Sequence, residues 1–308
     1  ARRGFALFTV LTVSSLALAA AFQAAQIALP SRHATLVDTV WNTAGFTAGT
    51  LISLSLARLY RRHRRGISSL RPVPIALVAV WLGYRLAPFV PARDIETIAA
   101  NLAPLLKAEF PVASFAAQAA AWTAVAFLLR DASPSRAWDR WLPVMMLVGF
   151  AWEALVIQRD GISLADVSAA GLALLAWFGG LHKVDRPAPW ILSGLLAGIV
   201  CVSLWPFQFT DQALKPFYWR PFIGILYGDM WSNTLSVLWK SFAYGALVYL
   251  AWCATRSWVM ATSGAMAATG AVEWLQRFQQ SHVPEITDPL LTLLAGIVAS
   301  VLAGKKPG

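Results

Sequence analysis

The sequence predicts an all-α fold, a polytopic transmembrane helical bundle of about ten spans. Three observations predict it. The 308 residues are 58% hydrophobic and only 13% charged, with a mean hydropathy of +0.59, whereas a soluble domain carries about 25% charged residues. Ten apolar stretches approach the roughly 20 residues that a helix needs to cross about 30 Å of hydrocarbon. The basic residues also fall unevenly between the loops. This balance excludes an ordinary soluble domain, a disordered chain and a collagen. Cys201 and Cys253 are the only cysteines and lie in apolar runs, without CxxC or zinc-type spacing. The net charge of +10 reads as a topology signal, not as a nucleic-acid surface.

In order, the predicted spans are 4–27, 37–57, 73–91, 112–130, 142–158, 165–181, 190–207, 232–254, 258–276 and 287–303. The first has the two arginines, apolar stretch and small residues of a secretory signal, yet is expected to be a retained helix because an internal repeat includes it. The fifth and sixth are short enough to form a hairpin that does not fully cross. The eighth contains Lys240, which has three readings: a transport path, a snorkelling side chain, or an ion pair with a nearby acid. Residues 92–111 place Ile95, Ile98, Leu102, Leu105 and Leu106 at helical spacing, as in an amphipathic helix lying on a membrane. Residues 208–231 are aromatic and proline-broken; a second interfacial segment and an ordinary connecting loop are equally consistent with them.

With the N-terminus inside, Arg2, Arg3, Arg58, Arg61, Arg62, Arg64, Arg65, Arg71, Arg130, Arg136, Arg140, Lys183, Arg186, Arg256, Lys305 and Lys306 fall on the cytoplasmic side. The remaining basic residues are scattered singly. That asymmetry places both termini in the cytoplasm, and the expected location is a bacterial inner membrane. The Arg61–Arg65 run reads as an anchor that also attracts anionic lipid head groups.

The internal repeat is direct. Residues 23–49 align without a gap on 273–299, so that Gln26, Ser31 and Asp38 recur as Gln276, Ser281 and Asp288. Gln23 becomes Glu273, Arg32 becomes His282 and Asn42 becomes Thr292. A weaker copy at 152–172 carries Glu153, Arg159 and Asp166. Each copy is a helix ending in Glu or Gln, a polar turn, and an Asp opening the returning helix. A second element repeats as well. Residues 84–91 and 203–208 each end a span with Pro and Phe, followed by a long loop containing Asn101 or Asn233. The domain reading is a trailing half-unit at 1–60, a divergent unit at 73–181 and another unit at 190–304.

These residues resemble the VanZ-like family, whose domains end in a Glu-x-x-Gln pattern, a Pro-x-Arg turn, then Asp, Asn and Gly on the last helix. Gln26, Pro30, Arg32, Asp38, Asn42, Gly45 and Gly49 match in the first copy, with Gln23 in place of the Glu. Glu273, Gln276, Asp288 and Gly296 match in the last, the glycine one place late. The middle copy keeps Glu153 and Asp166 but has Val156 at the fourth position. The strong matches cover about 60 residues at the two ends. The family is named for an accessory membrane protein linked to low-level teicoplanin resistance, so the resemblance implies a cell-envelope role without supplying a reaction.

The candidate ligand-binding residues are Gln26, Arg32, Asp38, Asn42, Glu153, Arg159, Asp166, Glu273, Gln276, His282 and Asp288. Intramembrane polar groups are costly unless paired or hydrated, which makes them functional candidates. Glu273 and Gln276, three apart, share a helical face. An outward pocket for a lipid head group or sugar–phosphate would set Arg32, Arg159 and His282 against phosphate, with the acids positioning those bases. For the aspartates a second reading stands beside this one. Thr35-x-x-Asp38 and Ser163-x-x-Asp166 are capping boxes, and Asp288 before Pro289 reads as an N-cap. Capping does not explain Glu153 or Glu273, which sit at helix C-terminal ends, where the dipole disfavours an acid.

No histidine is placed to ligate haem within a span, and no GxSxG, HExxH, Walker or GxGxxG motif appears in context. No cofactor, metal or catalytic residue is expected. The expected partners are membrane lipids and other membrane subunits, with no nucleic acid. The leading function is a non-enzymatic or weakly enzymatic protein that binds a lipid-linked or glycopeptide-type ligand at its outward face. The rivals are an accessory subunit of a larger membrane assembly and a transporter.

Overall fold

The computed structural model describes residues 70–107, 110–133, 137–157, 161–223, 230–280 and 283–304, together with Leu16 and Thr47. The chain divides into two units, 1–69 and 70–308, and the second builds the helical bundle. Apart from Leu16 and Thr47, the two earliest predicted spans lie outside the described residues.

Every other predicted span appears as a helix: α1 (Pro72–Leu86), α3 (Val112–Ala132), α4 (Leu142–Leu155), α5 (Leu164–Gly179), α6 (Ala188–Leu204), α7 (Met230–Thr255), α8 (Trp258–Leu275) and α9 (Thr287–Gly304). The amphipathic segment forms α2 (Ile95–Leu102) and a 3₁₀ turn to Leu106. The described residues contain no sheet, only isolated bridges. Four of these helices, Val112–Ala132, Leu164–Lys183 (α5 with its trailing turn), Trp231–Thr255 and Thr287–Gly304, are long and apolar enough to cross a membrane. At 1.5 Å per residue, the 14 residues of α4 reach only about 21 Å.

The helix ends follow local chemistry. Proline occupies the first turn of α1, α4 and α6, where its missing N–H has no intrahelical partner to lose. Pro88 and Pro206 stop α1 and α6. Both follow cis peptide bonds, and both precede a phenylalanine with left-handed φ, 64° at Phe89 and 61° at Phe207. Ser163 opens α5 with a complete capping box to Asp166. Asp94 caps α2, and the Thr97 amide that it accepts holds its carboxyl below the ordinary range.

α3 and α7 form the centre. α3 packs on α6, α5 and α1, while α7 packs on α8, α9, α1 and α6. Small residues let the backbones approach. A Cβ at Gly198 of α6 would stand 3.1 Å from Ala117 Cα, and one at Gly296 of α9 would stand 2.3 Å from Thr262 Oγ1. Where α1, α3 and α7 meet, Trp81 lies 5.0 Å from Trp122 and 4.7 Å from Phe242, measured between ring centroids.

Polarity is inverted relative to a soluble protein. Leu147, Leu175, Val259 and Val301 are exposed, whereas Arg85, Asn101, Glu153, Glu273, Gln276, Glu285 and Asp288 are buried. In water the exposed apolar faces would be unfavourable; against lipid they are the expected exterior.

The helices alternate in direction and sort the charges to two ends. One end holds Arg71 before α1, Arg130 in the last turn of α3, Arg186 before α6 and Arg256 after α7. Contacts tie it together: the Arg71 amide donates to the Ala132 carbonyl at 3.0 Å, and Arg130 donates to the His182 carbonyl. The buried acids gather at the other end.

Residues 208–222 at the acid end form no interfacial helix. They run as a strap beside the turn from α8 to α9. The Thr210 amide donates to Phe278 O, Leu214 to Arg277 O, and Tyr218 to Pro284 O, and Ile286 returns a bond to Tyr218 O. The prolines and aromatics of this stretch serve an extended path whose amides find partners in a neighbouring turn.

Candidate functional site

The acid end carries two cavities. The first, about 390 Å³, lies among α6, α7, α8 and α9, and is lined by Ser203, Asn233, Ser236, Trp239, Lys240, Tyr244, Glu273, Gln276, Glu285 and Asp288. The three-residue spacing across the C-terminal end of α8, where Gln276 opens a 3₁₀ turn, turns Glu273 and Gln276 to one face, and Asp288 at the start of α9 stands opposite them. Lys240 Nζ donates to Asp288 Oδ1 at 2.6 Å, and the Tyr244 hydroxyl donates to Asp288 Oδ2. Glu273 Oε2 accepts the Glu285 amide at 2.8 Å, and Gln276 Nε2 donates to Ser203 O at 3.2 Å. Thr292 donates to the Asp288 carbonyl at 2.8 Å and lies 3.3 Å from Thr269 Oγ1.

Three carboxyl groups (Glu273, Glu285 and Asp288) therefore face one ammonium (Lys240) in this cavity. The Glu273 and Asp288 carboxyls line the same cavity. Two carboxylates side by side repel unless a proton or another donor lies between them. The chemistry of the cavity is that of a hydrogen-bond acceptor, favouring ammonium, hydroxyl or amide groups over phosphate.

The second cavity, about 460 Å³, is lined by Tyr84, Arg85, Ser114, Gln118, Glu153, Gly161, Ser163, Asp166, Ser232, Ser236 and Trp239. Ser236 and Trp239 line both cavities, so one face of α7 separates them. Arg85 Nη2 donates to Glu153 Oε2 at 2.5 Å, with side-chain exposures of 3% and 5%. The guanidinium sits between rings, 5.8 Å from Trp81, 5.4 Å from Trp122 and 5.1 Å from Phe150. Asn101 Nδ2 lies within hydrogen-bond reach of the carbonyls of Glu153, Ala154 and Val156, at 3.3, 3.2 and 2.7 Å, closing the C-terminal end of α4. Gly161, at φ +81°, fits against this cap because a Cβ there would stand 2.6 Å from Asn101 O. Among the described residues, Gln118 Oε1 is buried and has no hydrogen-bond partner.

The structure thus brings Glu273, Gln276 and Asp288 to one cavity, and Glu153 and Asp166 to the other. Gln26, Arg32, Asp38, Asn42, Arg159 and His282 lie outside the described residues, and with them the bases expected to meet phosphate. The capping reading holds for Asp166, whose Oδ2 accepts the Ser163 amide and hydroxyl at 3.0 and 2.6 Å. It does not hold for Asp288. Helix α9 already includes Thr287, and the carboxyl turns sideways to Lys240 and Tyr244.

Lys240 is ion-paired, the last of its three readings. Arg85, Tyr244 and Asn101 were not candidate residues. Arg85 and Asn101 carried a signal in their places within and after the first of the two repeated Pro-Phe elements; Tyr244, one aromatic among many, carried none. Cys201 and Cys253 are free thiols. Among the described residues no group of His, Cys, Asp and Glu could hold a metal ion. No family profile, curated protein or solved structure matches the chain.

Proposed function

We propose that the protein is an integral membrane protein of the bacterial cytoplasmic membrane, VanZ-like in type, that binds the polar head of a lipid-linked or glycopeptide-type ligand at its outward face. On this reading it has about ten spans and both termini inside. It acts as a binding protein, non-enzymatic or weakly enzymatic. The observation that carries the reading is the pair of acid-bearing cavities side by side at one end of an apolar bundle, opposite the basic end. The positive-inside tendency assigns the basic end to the cytoplasm and so turns both cavities outward.

The charge balance refines the ligand. A head group offering ammonium, hydroxyl or amide donors suits the carboxyls of Glu273 and Asp288 and the open acceptor of Gln118, while the lipid portion rests on the exposed apolar helices. Phosphate, if it is part of the ligand, lies beyond the carboxyls.

The test is titration of the full-length protein in nanodiscs with teicoplanin, a lipid-tailed glycopeptide, and separately with phosphatidylethanolamine, read by native mass spectrometry. Saturable binding of either probe, lost in Glu273→Gln/Asp288→Asn while the melting temperature in neutral lipid holds, supports the reading. Failure of both probes to bind, or binding unchanged in the double variant, overturns it. A stoichiometric protein partner retained through gentle purification, with neither probe bound, would replace it with the accessory-subunit reading.

A further inference from the structure

The end of the bundle opposite these cavities contains a third, of about 400 Å³, lined by Arg71, Arg130, Arg186 and Arg256 with Asp131 and Asp185. Four guanidiniums against two carboxylates leave a formal charge of +2. The charges are not distributed evenly. Asp131 is already engaged, accepting from Arg71 Nη1 at 2.5 Å and from the Tyr249 hydroxyl at 2.5 Å. Arg130 donates to the His182 carbonyl and lies 5.9 Å from the Trp177 ring. Arg186 and Arg256 are exposed and make no ion pair among the described residues.

Arg256 is held in place from beneath. Its guanidinium stands 5.7 Å from the Trp252 ring, which stacks on Trp258 at 4.7 Å and 10°. Its backbone takes φ 59°, a left-handed conformation uncommon for a residue other than glycine. A general topology signal needs positive charge somewhere near a helix end. It needs neither a cavity nor an aromatic shelf beneath one arginine.

We propose that this cavity binds a phosphate group, held by the forked donors of Arg186 and Arg256. Guanidinium donors match phosphate oxygens in pairs, and two arginines without an ion pair among the described residues provide the charge over one cavity. The Trp252–Trp258 stack beside them suits the glycerol and upper acyl carbons of an anionic lipid of the same leaflet; free phosphate is the other source of the same chemistry. The site is independent of the acid cavities, so it stands or falls apart from their ligand.

The experiment uses the full-length protein in phosphatidylcholine nanodiscs, titrated with phosphatidylglycerol and, separately, with inorganic phosphate. Saturable phosphatidylglycerol binding is expected, weakened at least tenfold in Arg186→Gln/Arg256→Gln and less than twofold in Arg140→Gln/Lys183→Gln. The control pair is exposed at the same end but does not line the cavity. Arg186→Gln alone, far from the core, gives an intermediate loss should the double variant lower the melting temperature in neutral lipid. Competition by millimolar inorganic phosphate would identify the soluble ion as a ligand. No competition, with phosphatidylglycerol still saturating, would assign the site to the lipid. Equal weakening in both double variants, or no saturable binding of either probe, would overturn the proposal.

Discussion

The two acid-bearing regions hold carboxylates at equivalent places in the chain and use them differently. In the earlier region Arg85 and Glu153 form an ion pair buried on both sides at the wall of its cavity, with Trp81, Trp122 and Phe150 around the guanidinium. In the later one Asp288 is paired with Lys240, whose side chain stays 29% exposed, and Glu273 accepts a backbone amide while it faces open space. The contrast separates two reasons for an acid in a membrane-type bundle. A pair buried on both sides fixes which helices meet, whereas a pair with one partly exposed member leaves acceptor capacity for something that enters its cavity. On the proposed function, the same repeat pattern marks a structural pin in one place and the ligand site in the other.

The largest expected effect breaks the more deeply buried pair. Arg85→Leu takes the guanidinium away from the buried Glu153 carboxylate, a loss of about 3–5 kcal/mol. Thermal unfolding in detergent reads it as a marked fall in melting temperature. Arg85→Leu/Glu153→Leu should recover most of that loss, because replacing both members of a buried pair with apolar residues is close to neutral. A double variant as unstable as the single would mean that the pair's hydrogen bonds, not its charges, hold α1 to α4.

Next in size is Asn101→Ala. The side-chain amide serves the last carbonyls of α4, and its removal leaves buried acceptors unmatched at a cost of about 1–3 kcal/mol. Hydrogen exchange localised to 153–157 and 161–163 separates this from a global loss, since the Asn101 carbonyl also accepts the Ile162 amide at 2.8 Å. If the later region is a hydrated site, Lys240→Met costs less than Arg85→Leu, about 1–2 kcal/mol, because water reaches the carboxyl that remains. Equal losses at Lys240 and Arg85 would dissolve the comparison.

Much of the fold was legible because hydrophobicity and proline punctuation are local signals. The predicted stretch 112–130 became α3 at Val112–Ala132, and 258–276 became α8 at Trp258–Leu275. The two Pro-Phe elements were visible as a repeat, and both recur with the same backbone turn. Glu273, Gln276 and Asp288 were legible as neighbours because a three-residue spacing and a short turn decide their meeting.

Arg85 was not legible as the partner of Glu153. The pair spans 68 residues, and nothing in a single sequence chooses between several scattered cations. Tyr244 was missed for the same reason. The extended strap at 208–222 was hidden too, because its amides are satisfied by residues some 65 positions away, not by a periodic pattern of its own.

The smallest effect tests whether Asp166 is a cap or a ligand, the one position where both readings meet in the same cavity. Ser163→Ala removes the hydroxyl that accepts the Asp166 amide at 3.2 Å and donates to Asp166 Oδ2 at 2.6 Å, so it should cost about 1 kcal/mol. If Asp166 acts only as the reciprocal half of the capping box, Ser163→Ala and Asp166→Ala remove one shared interaction. The double variant then loses less than the sum of the singles, and probe binding at the acid end is unaffected by any of the three. Additive losses together with weaker binding in Asp166→Ala alone would place the carboxylate in contact with the ligand. The earlier cavity would then join the later one as a working site, and the division between pin and pocket would run through side chains, not through whole regions.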